Sequence, residues 1–149
     1  MKIEKIDRVA VAVKNLDQAE KFFADLLGTT FQRSPTSDIV KTLTEHGQRV
    51  LKEKETKYVK VAISPTGLEL VETSPPCDQE GIRSFHFKVS NLEEAKTQMK
   101  NKGIHLLTEI KHGGLKEAIF DPDDLHGIRL VLVEYDAPTP MTAILQSKK

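Results

Sequence analysis

The chain has little of several residue types on which particular classes of protein depend. Of its 149 residues only one is cysteine, none is tryptophan, and basic and acidic residues balance at 22 each. A single cysteine cannot close an internal disulfide, so we expect a protein of the reducing cytoplasm in which Cys77 is a spare thiol. The balanced charge lacks the basic excess that nucleic acids and anionic membrane surfaces attract, so we expect neither as a partner.

Long apolar runs and the common catalytic motifs are missing as well. A membrane-spanning helix needs roughly 20 consecutive apolar residues, and no run in the sequence approaches that length. The first six residues, MKIEKI, are too charged and too short for a signal peptide. There is no phosphate-binding glycine loop, Cys-x-x-Cys, Gly-x-Ser-x-Gly or His-Glu-x-x-His. The composition therefore predicts a soluble globular protein, long enough for one well-buried domain.

The sequence does contain an internal repeat. The segment 8–23 aligns with 84–99, where RVAVAVKNLDQAEKFF falls on SFHFKVSNLEEAKTQM, and 68–72 aligns with 130–134. Each copy has an alternating strand, an Asn-Leu-acidic helix start, a helix that ends at a glycine, and a closing strand. The repeat predicts two βαβββ modules.

The module boundaries follow from the repeat. Module one is predicted over 1–73 and module two over 81–135, with a linker at 74–80. Residues 136–149 are predicted to form a tail on the surface or beyond it. The segment 37–56 fits a helix behind Ser37 about as well as it fits a strand and a loop, and its structure stays open.

One face of the predicted sheet carries small and polar residues. In the first strand of each module the bulky apolar residues alternate with this set, so the apolar face packs on the helix and the other face lines a concavity. The residues predicted to line it are Arg8, Ala10, Ala12, Glu69, Ser84, His86, Arg129 and Val131.

Three segments carry a resemblance to a known family. They are 6–28, 59–72 and 113–134, including IDRVAVAVKNLDQAEKFFADLLG and GGLKEAIFDPDDLHGIRLVLVE. With its paired modules the chain resembles the vicinal oxygen chelate superfamily of glyoxalases, extradiol dioxygenases and bleomycin-resistance proteins, and within it the methylmalonyl-CoA epimerases. The resemblance implies an α+β fold in which both modules form one cup-shaped open barrel, a small-molecule ligand, and a homodimer.

In that family a divalent metal is held by one residue on each of four strands lining the cup. The resemblance assigns these positions to Arg8, Glu69, Ser84 and Val131. Only Glu69 is a usual ligand, because a guanidinium repels a metal and neither serine nor valine replaces the family's imidazole and carboxylate. We therefore expect no metal at the usual place and no other cofactor, and the metal-dependent epimerase mechanism is the least favoured function.

The favoured hypothesis is a metal-independent isomerase or lyase that acts on a small carboxylate or an acyl-CoA thioester. Glu69 and His86 are the predicted catalytic acid–base groups, and Arg8 stabilises negative charge in place of the metal. The residues predicted to bind the substrate are Arg8, Ser84, Arg129 and Lys116.

Alternatives to this chemistry remain open. A bleomycin-resistance-type protein that binds a small molecule without reaction also accounts for the altered metal positions. Arg8 is predicted to lie within hydrogen-bonding reach of Glu69 as a structural ion pair, and His86 is then an inert cup residue. His112 and His126 are interpreted as solvated loop residues, and KHGG at 111–114 as a hairpin turn.

Overall fold

The computed structural model of the protein describes residues 1–51 and 58–146. The helices in these ranges are α1 (Leu16–Leu27), α2 (Glu45–Leu51), α3 (Leu92–Asn101) and α4 (Pro140–Ile144), with a 3-10 turn at Pro122–Asp124. The strands are β1 (Ile3–Ala12), β2 (Gln32–Ser34), β3 (Val40–Leu43), β4 (Tyr58–Ile63), β5 (Leu68–Ser74), β6 (Gly81–Val89), β7 (Leu106–His112), β8 (Leu115–Phe120) and β9 (Leu130–Glu134). Among the described helices, none has the length and apolar character required to cross a membrane.

The strands form one mixed sheet in the order β2-β4-β5-β1-β6-β9-β8-β7-β3. At its centre β1 and β6 run antiparallel, with Ala10 opposite Ser84. β1 pairs in parallel with β5, and β6 pairs in parallel with β9. The order β1-β5-β4-β2 on one half is therefore repeated as β6-β9-β8-β7 on the other, and the predicted pair of βαβββ modules is confirmed. Because one cavity is lined by residues of every strand in the described ranges, the sheet must curl into a cup.

The repeat extends to the contacts that start each long helix. The side chain of Asn15 accepts the backbone N–H of Gln18 at 2.9 Å, and Asn91 accepts that of Glu94 at 3.0 Å. Such caps satisfy a backbone donor that has no partner within the helix. Both helices therefore begin where the Asn-Leu-acidic pattern predicts.

A carboxylate on the closing strand of each module supports the start of that module's helix. Glu72 accepts the backbone N–H of Leu16 at 2.8 Å, and Glu134 accepts that of Leu92 at 2.9 Å. The negative charges also complement the positive ends of the helix dipoles. Glu72 and Glu134 are aligned by the sequence repeat, so equivalent residues have the same structural role.

Each module packs its helix against the convex face of its own half of the sheet. Around α1 the buried core is Val13, Leu16, Ala62 and Leu70. Around α3 the buried core is Val89, Leu92, Ala95, Met99, Ala118, Phe120 and Leu132. The apolar stripe of α1 is wider than the surface it buries, because Phe22, Leu26 and Leu27 are more than half exposed.

The segment left open in the sequence, 37–56, contains both a strand and a helix. β3 leaves module one and pairs antiparallel with β7 at the outer edge of module two. α2 follows at once, and Gly47 lies so close to the backbone of Leu107 that a Cβ atom would be 2.1 Å from its carbonyl oxygen. Residues 52–56 of this segment lie outside the described range.

The prediction of a surface tail at 136–149 is wrong for α4. Its residues Met141, Ala143 and Ile144 are buried against Leu115 and other core residues. Gly113 and Gly114 form the predicted hairpin turn between β7 and β8, and α4 docks on this turn. The N–H of Gly114 donates to the carbonyl of Ala143 at 2.8 Å, and a Cβ atom on Gly113 would lie 2.1 Å from the carbonyl oxygen of Ile144.

Candidate functional site

The concave face of the sheet encloses a cavity of about 170 Å³. Seven of the eight residues predicted to line the cup do line it: Arg8, Ala10, Glu69, Ser84, His86, Arg129 and Val131. Ala12, the eighth, is buried but is not part of this lining. The alternation of side chains along the strands thus identified the concave face.

Arg8 lies at the floor of the cup with 3% of its surface exposed. Its Nε donates to Oε1 of Glu69 at 3.1 Å, so the predicted pairing is confirmed. Its other two nitrogens donate to Oδ2 of Asp7 at 2.6 Å and to Oε2 of Glu117 at 2.7 Å. The guanidinium is therefore held by three carboxylates instead of the one expected.

His86 connects the same floor to a hydroxyl group. Its Nδ1 lies 2.8 Å from Oε2 of Glu117, the oxygen that also accepts from Arg8. Its Nε2 lies 2.9 Å from Oγ of Ser84 and 3.9 Å from Oε2 of Glu69. An imidazole with a carboxylate on one nitrogen and a hydroxyl on the other is equipped to move a proton between them.

Asp7 extends the network away from the cavity. Its second oxygen accepts the hydroxyl of Tyr135 at 2.6 Å, so both oxygens of this buried carboxylate are hydrogen-bonded. In the described part of the chain every buried side-chain nitrogen or oxygen has a hydrogen-bond partner. A satisfied buried network of this kind holds its members rigidly.

The network moves three pKa values away from their ordinary range. Burial opposes ionisation of Glu117, but the charges of Arg8 and His86 and the hydrogen bonds from both lower its pKa to about 2. Burial also opposes the charge of Arg8, yet Glu69, Glu117 and Asp7 raise the pKa of Arg8 above its usual value. Burial and the hydrogen bond to Asp7 raise the pKa of Tyr135 well above the usual tyrosine value. At neutral pH Glu117 is therefore a carboxylate, Arg8 a guanidinium and Tyr135 a phenol.

The sequence interpretation missed three members of this network: Asp7, Glu117 and Tyr135. Glu117 had a readable signal, because it lies two residues from both Leu115 and Ile119 and so shares with them the face that lines the cup. Asp7 had none, since strict alternation places it opposite Arg8. The pairing of β1 with β6 is irregular between Ile6 and Arg8, and Asp7 and Arg8 are both buried there.

Of three other residues whose placement the sequence predicts, one is in the predicted place and two are not. His112 was interpreted as a solvated loop residue, which is wrong: it ends β7, is buried and lines the cavity. His126 is exposed in a turn, as predicted. Lys116, a predicted substrate-binding residue, is exposed and lies outside the cavity lining, because it follows Leu115 and precedes Glu117 on a strand whose side chains alternate.

The four positions that the resemblance assigns to a metal do not suit a divalent ion. The charged end of Arg8 fills the space beside Glu69, and Ser84 is hydrogen-bonded to His86. Val131 offers no ligand atom. Among residues 1–51 and 58–146 no group of three or more His, Cys, Asp or Glu side chains is arranged to hold a metal ion. The carboxylates at the floor of the cup, Asp7, Glu69 and Glu117, bind the guanidinium of Arg8 instead.

Comparisons with known proteins agree with the fold and the cup. The profile of the Glyoxalase/Bleomycin resistance protein/Dioxygenase superfamily matches residues 5–132. Methylmalonyl-CoA epimerase of Streptomyces coelicolor, solved as a variant with 2-nitronate-propionyl-CoA, is 19% identical with a TM-score of 0.65, over 91% of this chain and 100% of that one. The epimerase of Mycobacterium tuberculosis is 16% identical with a TM-score of 0.63, over 91% and 90%.

A hypothetical protein of Bacillus halodurans is similar over a still larger share of the chain. It is 17% identical with a TM-score of 0.70, over 97% of this chain and 98% of that one. No curated protein sequence matches. At these identities the solved structures establish the shared fold alone.

Proposed function

This chain belongs to the glyoxalase/bleomycin resistance protein/dioxygenase superfamily, and we propose that it is a metal-independent isomerase or lyase that moves a proton beside the carbonyl of a small carboxylate or acyl thioester. The observation that carries the proposal is the pair Glu69 and His86. Both line the cavity, with 3.9 Å between Oε2 and Nε2. Two acid–base groups at one small cavity are what proton removal and return require.

Arg8 takes the electrostatic place of a metal in this proposal. Its charge is permanent, and its contacts with Asp7, Glu69 and Glu117 fix it at the floor. Transition-state stabilisation depends on charges that are in place before the reaction begins. A preorganised guanidinium beneath the reacting carbonyl supplies such a charge without a divalent ion.

The rest of the lining supports an anionic substrate. Lys41, Arg83 and Arg129 line the same cavity as the acidic floor. Basic groups around the cavity attract a carboxylate or a CoA phosphate while the acid–base pair meets the acyl carbon. The Streptomyces relative was solved with an acyl-CoA analogue. A volume of about 170 Å³ admits a short acyl group and leaves the CoA nucleotide outside.

The direct test is deuterium exchange. The protein is incubated in D₂O with propionyl-CoA, or with propionate, and NMR measures the deuterium incorporated at the carbon beside the carbonyl. The measurement is repeated with protein that has first been dialysed against a chelator. We expect exchange that the chelator leaves unchanged and that Glu69→Gln abolishes. Glu72→Gln is the matched control, because Glu72 lies on the same strand, is also buried and supports α1 instead of the cavity.

A binding protein without chemistry is the second candidate. It is favoured by the completeness of the hydrogen bonding among the described buried groups, which leaves the floor of the cup stable without a substrate. A rise in melting temperature with either compound, together with no exchange by the unmodified protein, supports this function and contradicts the first. Exchange that disappears on chelation contradicts metal independence.

A further inference from the structure

Ser84, His86 and Glu117 form a continuous hydrogen-bonded chain that the proton-transfer proposal does not use as a whole. Oγ of Ser84 lies 2.9 Å from Nε2 of His86, and Nδ1 of the same imidazole lies 2.8 Å from Oε2 of Glu117. All three residues line the cavity. The order hydroxyl, imidazole, carboxylate is the order in which a serine nucleophile is activated.

The sheet explains why these side chains meet. Ser84 and His86 are two residues apart on β6, so both project from its concave face. β9 lies between β6 and β8, and its Val131 pairs with His86 on one side and Ile119 on the other. The apolar side chain of Val131 does not compete for the imidazole. Glu117, two residues before Ile119 on β8, can therefore reach Nδ1.

The hydrogen-bond partners determine which imidazole nitrogen carries the proton. Glu117 is ionised at neutral pH, and a carboxylate only accepts hydrogen bonds. In the neutral imidazole Nδ1 must therefore be the donor, and the lone pair of Nε2 is directed at the hydroxyl of Ser84. Arg8 donates to the same oxygen of Glu117 and keeps the carboxylate in place.

We propose that Ser84 is a nucleophile, that His86 is its general base, that Glu117 is a positioning residue, and that the cup hydrolyses short acyl esters or thioesters. Oγ of Ser84 bonds to the carbonyl carbon while its proton passes to Nε2 of His86. The carbon–oxygen or carbon–sulfur bond to the leaving group breaks, and the departing alcohol or thiol takes that proton. Water then attacks the acyl-serine with the same help from His86, releases the carboxylic acid and restores the serine.

Charge in the cavity is consistent with this reaction. The negative charge that develops on the carbonyl oxygen needs a positive partner, and the lining includes Arg83 and Arg129. Glu117 on β8 and Glu69 on β5 lie 2.8 Å and 3.9 Å from the ring nitrogens of His86, and Arg8 on β1 is the sheet partner of His86. The carboxylates stabilise the imidazolium that forms when the serine gives up its proton.

Methanesulfonyl fluoride tests the nucleophile directly, because it is small enough for the cavity and its adduct does not turn over. Attack by Ser84 forms an oxygen–sulfur bond and expels fluoride, so one methanesulfonyl group should be found on the peptide that contains Ser84. Ser34 lines the same cavity with its hydroxyl donating to the carbonyl of Pro35, and is the internal control. Modification of Ser84 with no modification of Ser34 is the expected result.

Two variants show whether Ser84 reacts because His86 activates its hydroxyl or only because the reagent can reach it. Ser84→Ala should lose the label and the hydrolysis of p-nitrophenyl acetate, and His86→Gln should label Ser84 roughly 100-fold or more slowly. Equal labelling of Ser84 in the His86→Gln variant, or no labelling above that of Ser34 in the unmodified protein, overturns the proposal.

The result is independent of the isomerase proposal. Deuterium exchange and sulfonylation are measured on the same unmodified protein. Exchange without labelling contradicts only the serine mechanism, and labelling without exchange contradicts only proton transfer through Glu69.

Discussion

The guanidinium of Arg8 and the carboxylate of Glu117 meet at 2.7 Å although 109 positions separate them in the sequence. Arg8 belongs to β1 in the first module and Glu117 to β8 in the second. Arg8 also contacts Glu69, on the closing strand of its own module. One buried cation therefore ties the two halves of the cup together at the point where the lining converges.

Replacing Arg8 with alanine should destabilise the protein strongly. The substitution leaves Asp7, Glu69 and Glu117 buried without their cation, and breaking a buried ion pair from one side costs about 3–5 kcal/mol. Urea unfolding measures the loss of free energy. The control is Arg49→Ala, because Arg49 pairs with Glu45 on the surface and such pairs contribute about 1 kcal/mol or less.

The double variant Arg8→Ala/Glu69→Ala extends this measurement. It should recover only part of the loss, because two carboxylates remain without a partner. If the double variant regained the full free energy of unfolding, Arg8 would stabilise the protein through Glu69 alone. That result would contradict its contacts with Asp7 and Glu117.

Tyr135→Phe should weaken the fold more than Tyr58→Phe. Both hydroxyls donate to a carboxylate, Tyr135 to Asp7 at 2.6 Å and Tyr58 to Glu72 at 3.1 Å. Tyr135 is 6% exposed and Tyr58 is 45% exposed, so water can replace only the second hydroxyl. Leaving a buried acceptor without its donor costs about 1–3 kcal/mol. Equal shifts in the urea midpoints of the two variants would contradict this assignment.

Stability should fall in acid through Glu117. The pKa of this group is lowered from 4.5 to about 2 on folding, so its contribution is complete above the unfolded value and is lost as the pH falls toward 2. The change amounts to on the order of 3 kcal/mol. Glu117→Gln should flatten the dependence of unfolding free energy on pH between about pH 5 and pH 2, whereas the exposed Glu45→Gln should not. Asp7 and Glu69 stay beside Arg8 in both variants, so they do not produce the difference.

Ile144→Ala should affect both stability and the cup. Ile144 is buried against the core and also lines the cavity, so its removal enlarges that cavity. Truncation of a buried isoleucine costs about 2–5 kcal/mol. Leu145 directly follows α4 with half of its surface exposed, and Leu145→Ala should change the free energy of unfolding by only about 0.5 kcal/mol. Similar losses for both would mean that α4 does not dock as described.

Much of the fold was predictable because its signals are local and occur twice. Asn15 and Asn91 each begin a helix, and the alternation around Arg8 and Ser84 separates the concave from the convex face. α4 was missed because a helix of five residues has almost no periodicity. Its one readable signal is Thr139-Pro140, a capping residue followed by proline.

The site was predictable only in part, for reasons of geometry. Arg8, Glu69, Ser84 and His86 follow from strand alternation and were placed correctly in the cup. The contact between His86 and Glu117 depends on the curvature of the sheet and on the register of β8 relative to β6. Neither quantity can be predicted from a local sequence pattern. The sequence therefore revealed the lining but not the connections within it.

The crossing of β3 from the first module to the outer edge of the second has a consequence for biosynthesis. Residues 40–43 find their hydrogen-bonding partner only in residues 108–111, after β6, α3 and β7 of the second module have been synthesised. Contacts so distant along the chain form slowly. Until then the nascent first half exposes an unpaired strand edge, which is a surface prone to association. Once formed, the pairing of β3 with β7 joins the first module to the outer edge of the second. The two halves therefore cannot separate without breaking the hydrogen bonds of this strand.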